Sequence, residues 1–226
     1  MPLRIRPASE SDAVAMARIG GDAFRHSLNT ALFPARLAHL EATVVKREDG
    51  LDGETAWRVG RTLNRMRDPG IITLVATNDE NESEVLGYAH WEVPYDNRTK
   101  KDVAEKISLY EPPTLDKEAT AQLGKALDEE TEQLFGKEGH KNMYYLLVLA
   151  VDPKHQGRGI GKMLLHWGLK KATIENKPVY LHASPDGKPL YLSQGFRDLG
   201  EFDVCGFPHT SMLFAPTAWT IDPVHE

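Results

Sequence analysis

An α/β (α+β) fold around a mixed sheet is what these 226 residues predict, and three patterns carry that expectation. Apolar runs of strand length alternate with stretches of helical periodicity. Two of the runs, 71–77 and 85–93, are separated only by the polar stretch 78–83, the spacing of an antiparallel hairpin. A third run, 145–151, is nearly all large and apolar, which suits a strand covered on both faces by helices.

In chain order, residues 3–7 alternate as a short strand. Ser9 then precedes Asp12 at capping-box spacing, with Asp in the place of Glu, and predicts a helix through about Ser27. Residues 33–48 and 54–67 read as two further helices, parted by Asp49-Gly50. After the hairpin, residues 95–141 show no strand pattern and carry 8 Lys/Arg against 11 Asp/Glu. They read as a helical insert, with helix from about 116 to 136. The strand at 145–151 stops at Asp152-Pro153, because Pro lacks an N–H and biases its predecessor away from helix. Ile160, Met163, Leu164 and Trp167 then follow helical spacing on one face. Lys177-Pro178 introduces the short apolar strand 179–183, and residues 196–204 and 209–214 read as a terminal strand pair. The whole, 1–226, is expected to be one domain, with a sheet of about 6–7 strands and helices on both faces.

Composition bounds the function. The hydrophobic fraction of 41% is enough for a core and the 27% charged fraction is ordinary. A net charge of −6 without a basic cluster argues against a nucleic-acid partner, and loosely fits an amine substrate. The lone Cys205 excludes an internal disulfide and a cysteine-built metal site, and no metal is expected. The N-terminal residues have no apolar signal core and no stretch has the length of a membrane span, so no membrane partner and a cytoplasmic setting are the expectations.

The most informative stretch is 144–167. Gly157, Gly159 and Gly161 alternate between a strand and a helix start, where unpaired N–H donors and the positive end of the helix dipole make an anion site. A Walker A loop would need Ser or Thr after Gly161-Lys162, where Met163 stands, and a Gly at 156, which is Gln. A dinucleotide fingerprint would need Gly at 162 or 164, which are Lys and Leu. What remains is Gln156-x-x-Gly159-x-Gly161 behind Val151-Asp152-Pro153. A second segment follows the strand at 179–183, with Ser184, Gly187, Leu190, Tyr191, Gly195 and Phe196 in fixed spacing.

Together these two motifs, in this order, resemble those of the GCN5-related N-acetyltransferase (GNAT) superfamily, over roughly residues 71–215. Ser184 stands where Asn is common in that family and Gly187 where Ala is common. The resemblance implies a GNAT fold whose sheet is splayed at the acyl-CoA site, acetyl-CoA as co-substrate, and direct transfer of its acetyl group to a primary amine, most simply of a small molecule. It assigns acetyl-CoA contacts to Leu149, Ala150, Val151, Gln156, Gly157, Arg158, Gly159, Ile160, Gly161, Lys162, Ser184 and Tyr191. Pantetheine pairs with backbone at Leu149 and Val151 like an added strand. Val151 N–H is the implied donor to the thioester oxygen. Tyr191 matches the family's acid for the leaving thiolate.

The attacking amine must lose a proton, so a base or a water chain is needed. His90, Glu92 and His182 lie on strands and are the candidate bases, although such residues are more often solvent-facing. Tyr191 also has a plain reading as a core aromatic. Two other functions fit the same motifs: a non-catalytic CoA-binding sensor, and a protein or peptide N-acetyltransferase. A monomer or a homodimer is expected.

Overall fold

The computed structural model describes residues 3–43, 46–78, 81–95 and 105–216. A seven-stranded sheet runs through it in the order β1-β2-β3-β4-β5-β7-β6. Its strands are β1 (Leu3–Pro7), β2 (Ile71–Asn78), β3 (Asn81–Glu92), β4 (Tyr144–Val151), β5 (Val179–Ala183), β6 (Arg197–Val204) and β7 (Phe207–Phe214). Only β4 and β5 pair in parallel; every other neighbour is antiparallel. This is the mixed sheet that the alternation of runs predicts.

The helices are α1 (Ala13–Ala23), α2 (Leu28–Leu32), α3 (Gly53–Met66), α4 (Lys117–Gly139), α5 (Ile160–Glu175) and α6 (Lys188–Ser193). One face of the sheet is closed by α5. Its Ile160, Leu164, Leu165 and Leu169 pack on Leu74, Ala89, Trp91 and Leu146, all buried. The opposite face takes α1 through Met16 and Ile19, which pack on Val75 and Tyr88. On that same opposite face α4 covers the far strands, with Leu134 and Phe135 against Tyr180 and Leu213. Two glycines set how closely helices approach. A Cβ on Gly168 of α5 would stand 2.4 Å from the Trp91 ring, and one on Gly20 of α1 would stand 2.6 Å from the Tyr88 hydroxyl.

Local chemistry fixes several element ends. The Asp12 carboxylate accepts from Ser9 N–H at 2.7 Å and from both Arg6 Nη atoms at 2.8 Å, tying the entry of α1 to β1. The Arg6 hydrogen bonds hold Asp12 below the usual carboxylate range. Asp52 and Asp116 cap α3 and α4 by accepting from Thr55 N–H and Ala119 N–H. The terminal pair closes through Cys205 and Gly206, both with positive φ (55° and 84°), the two-residue hairpin geometry.

Three expectations are corrected. The first helix ends at Ala23, short of Ser27, which lies in the turn leading to α2. No continuous helix spans 33–48: α2 stops at Leu32, before Phe33-Pro34, and residues 35–43 form a 3₁₀ stretch. Pro34 explains the break, since it cannot donate to the preceding turn and disfavours helical backbone at Phe33. Residues 44–45 of that range lie outside the described residues. In the insert, helix runs 117–139 rather than 116–136, interrupted at Gly136 (φ 69°, ψ 176°). Residues 105–115 are irregular, and 96–104 lie outside the described residues.

Candidate active site

The parallel pair β4–β5 is where the sheet opens. Tyr144, Tyr145 and Leu146 pair with Val179, Tyr180 and Leu181, and there the pairing stops, although β4 continues to Val151 and β5 to Ala183. A register shift accompanies the opening: His90 faces Val148 but Trp91 faces Leu146, leaving Leu147 as the extra residue of a bulge. Bulges bend a strand and increase its twist, which turns the end of β4 away from β5.

The direction of the free edge follows from the ladder on the other side. Asp152 N–H donates to Leu86 O of β3 at 2.9 Å. Strand N–H groups alternate, so those of Val151 and Leu149 point away from β3, into the gap. Gln156 reaches back to this edge, its Nε2 donating to Val151 O at 3.3 Å.

Beyond β4, Asp152 accepts from Lys154 N–H at 2.9 Å and holds the turn that leads into the glycine loop. Gly157 (φ 75°) and Gly159 (φ 83°) adopt left-handed backbone, and Gly159 is the residue from which α5 starts. Met163 N–H returns to Gly159 O at 3.0 Å, so the amides of Ile160, Gly161 and Lys162 lie in the first turn without an intrahelical acceptor. A Cβ on Gly157 or Gly159 would meet no protein atom within 4 Å, so the space beside the loop at these two residues is open. Open-edge strand amides followed by a helix N-terminus suit an extended chain ending in a pyrophosphate.

A continuous cavity of about 1150 Å³ joins this loop to a chamber between the sheet and helices α1 to α4. Of the residues singled out in the sequence, Leu149, Ala150, Val151, Gln156, Gly157, Gly159, Ile160, Gly161, Lys162, Ser184 and Tyr191 all line it. Arg158 does not; it is exposed and contacts His155. Tyr191 is buried, its ring edge-on to Phe196 with centroids 5.6 Å apart, and burial raises its pKa so that its hydroxyl stays protonated.

The three candidate bases separate. His90 is fully buried, with Nδ1 at 2.9 Å from Thr73 Oγ1, and burial holds it neutral. Neither it nor Glu92 is on the cavity wall. His182 is on the wall, with its pKa pushed down to about 3 by burial and by His209. Its Nδ1 lies 2.8 Å from the Tyr145 hydroxyl and its Nε2 2.7 Å from that of Tyr180. Tyr180 is 3.0 Å from Ser211 Oγ, which donates to Glu130 of α4 at 2.7 Å. A hydrogen-bonded chain thus leads from the cavity to the edge of α4.

Tyr145 of this chain, and Trp57, Arg58, Arg61 and Arg65 of α3, are wall residues that the motifs do not include. The arginine spacing along a helical stretch was the available signal. Among the described residues, no group of three metal-ligating side chains occurs. No described helix is long and apolar enough to cross a membrane.

Comparison with known proteins agrees with this geometry. Residues 108–215 match the "Acetyltransferase (GNAT) domain" family. An "Acetyltransferase" of the fungus Stachybotrys chartarum is 31% identical over 148 residues, 62% of this chain and 61% of that protein. The likeness to the GNAT family is thus carried by residues 108–215, just under half of the chain, which include the glycine loop and Tyr191. The match therefore spans about three fifths of the length of this curated relative. Among solved structures, the chain is similar in fold to a "histone acetyltransferase HPA2 and related acetyltransferase" of Corynebacterium glutamicum, with TM-score 0.56, 20% identity, and coverage of 98% and 100% of the two chains. It is similar too to an N-acetyltransferase of Thermoplasma acidophilum solved in complex with coenzyme A, with TM-score 0.52, 15% identity, and coverage of 95% and 99%.

Proposed function

We propose that this chain is an N-acetyltransferase of the GNAT type, transferring the acetyl group of acetyl-CoA to a primary amine of a small molecule by direct attack with both substrates bound. The observation that carries the reading is the opened β4 edge leading into a glycine loop at the head of α5, both on the wall of one cavity. At about 1150 Å³ that cavity exceeds what one drug-sized ligand needs, leaving room for an acceptor beyond the cofactor arm. Its acceptor end is lined by side chains of helices α1 to α4, a concave setting that suits a small molecule. The S. typhimurium neighbour "with its cofactor Acetyl-CoA" (TM-score 0.50) and the coenzyme A complex above support the choice of donor.

Acetyl-CoA supplies the activated thioester; this chain's residues bind, orient and move protons. Leu149 and Val151 present amides along the open edge, and one of them, Val151 in the family's pattern, donates to the thioester oxygen as it gains charge. The amides of Ile160 to Lys162 hold the pyrophosphate. Tyr191 keeps its proton at neutral pH and donates it to the departing sulfur. His182 is the base candidate that shares the wall with Tyr191. Held neutral by burial, it offers one acceptor nitrogen, and Tyr145, Tyr180, Ser211 and Glu130 continue the path. His90 and Glu92, off the wall, are weaker candidates for that role.

The test is release of free thiol from acetyl-CoA over a panel of amines. Amine-dependent release with formation of the N-acetyl product is the expected result. Tight coenzyme A binding without turnover on any amine or peptide would instead make the chain a sensor.

A further inference from the structure

Helix α3 turns a basic face into the acceptor end of the cavity. Arg58, Arg61 and Arg65 fall at i, i+3 and i+7, one stripe along the helix, and all three line the wall. Arg58 is satisfied: Nε donates to Glu54 at 2.9 Å and Nη2 to Asn29. Arg61 lies over the Trp57 ring, 4.8 Å from its centroid, in a cation–π contact. Among the described residues, neither Arg61 nor Arg65 has a carboxylate partner or a hydrogen bond. Arg65 shares the cavity wall with Tyr88 and Tyr145.

Two partly buried guanidinium groups without a counter-charge are costly, since each loses water and gains no anion in return. Burial, with Arg65 and Arg58 nearby, pushes the Arg61 pKa down to about 10, and burial lowers Arg65 as well. An arginine keeps its charge at neutral pH even when buried. The wall offers no remedy. Its carboxylates are Asp22, which is paired with Arg25, and Asp186, which lies between β5 and α6 beside the cofactor motif. A chain of net charge −6 has therefore placed an uncompensated positive patch inside its acceptor chamber. A polycationic amine would meet repulsion there; an oxyanion would complete it.

We propose that the acceptor amine also bears an oxyanion, a carboxylate or a phosphoryl group, which Arg61 and Arg65 bind while the amino group lies toward β4. This rests on the N-acetyltransferase reading, and it narrows the amine acceptor that bulk charge loosely fitted. Guanidinium forks match both oxyanions with paired N–H donors.

The experiment compares matched substrates by thiol release. A panel of α-amino acids is run beside their decarboxylated amines, and aminoalkyl phosphates beside the parent amino alcohols, with spermidine as the cationic arm. The best anionic member should exceed its neutral partner in kcat/KM by roughly 10- to 100-fold, the worth of hydrogen bonds to a charged group. The arm that responds separates carboxylate from phosphoryl. Arg61→Gln and Arg65→Gln should erase the preference, and Arg65→Lys should restore part of it. The dissociation constant for acetyl-CoA, read by calorimetry, should stay within about twofold, showing that the variants are folded. Calorimetry of the same anionic amines against unreacting protein tests the site without turnover. Arg65-dependent binding there, with no thiol release on any amine, would keep the anion site and remove the catalytic reading. Preference for spermidine or neutral amines, a preference unchanged in both Gln variants, or no binding of any anionic member would overturn the proposal.

Discussion

Tyr191 shows how one residue carries two readings until its surroundings are known. The ring packs on Phe196 like any core aromatic, yet the residue also forms part of the cavity wall. Tyr191→Phe removes the hydroxyl and keeps the packing. An acid in this position is worth about 10²- to 10⁴-fold in rate. The expected result is a kcat lowered within that range, with the KM for acetyl-CoA little changed, as for an interaction made mainly in the transition state. A near-normal kcat under conditions where chemistry limits the rate would leave Tyr191 as a packing residue. His90 teaches the converse. In the sequence it is a polar residue on a strand and open to a catalytic role; in the fold it is fully buried against Thr73. Which polar strand residue reaches the cavity depends on what covers each face, and that is a long-range property of the chain.

At the scale of elements, the loop and the helix it starts separate cofactor binding from stability. Gly159 holds φ 83° with open space where a Cβ would go, so the Cβ of Gly159→Val meets no protein atom, but the backbone is strained by about 1–3 kcal/mol and the loop amides shift. Acetyl-CoA binding should be lost by calorimetry while the circular dichroism spectrum stays near wild type. Gly168→Ala is expected to do something different. Its Cβ would stand 2.4 Å from the buried Trp91 ring, so α5 must move off the sheet, at about 1–3 kcal/mol by urea denaturation. Unchanged stability would mean that the ring has room to turn. These two glycines also mark what the sequence could disclose. Gly157, Gly159 and Gly161 sit in a short local pattern, and the loop was legible from it, as were the strand before it and the helix after it. The 3₁₀ stretch 35–43 was not: its helical spacing is real, but Pro34 and the lack of any buried residue within it leave only a tight, short-range coil. Nor did net charge reveal Arg61 and Arg65, because an average over 226 residues hides two that share a chamber.

Across the whole molecule, three strands bring histidines to the acceptor side of the sheet or its wall: His90 on β3, His182 on β5 and His209 on β7. Burial lowers the pKa of all three, that of His182 to about 3. Each is therefore neutral in the fold and takes a proton on unfolding below its ordinary value of 6.5. With folded pKa values depressed, the unfolded state binds more protons at acid pH. Their stabilising contribution is complete above pH 6.5 and is lost as pH falls toward 3 for His182. His182 contributes a slope of up to about 1.4 kcal/mol per pH unit in that interval, and His90 and His209 act in the same direction. Asp12 and Asp52, also lowered, act in the same direction but only below their own unfolded value of 3.8. The interval from about pH 6 to 4.5 is thus governed by histidines. His182 also ties α4 to the sheet through Tyr180, Ser211 and Glu130, so its protonation would loosen the helix that lines the acceptor chamber. Urea denaturation at several pH values should show stability falling steeply through that interval. His182→Gln should be less stable at pH 7 and show a shallower slope below it. A wild-type stability that stays level from about pH 6.5 to 4.5 would show that these rings take up protons without unfolding, and that the network around His182 is open to water.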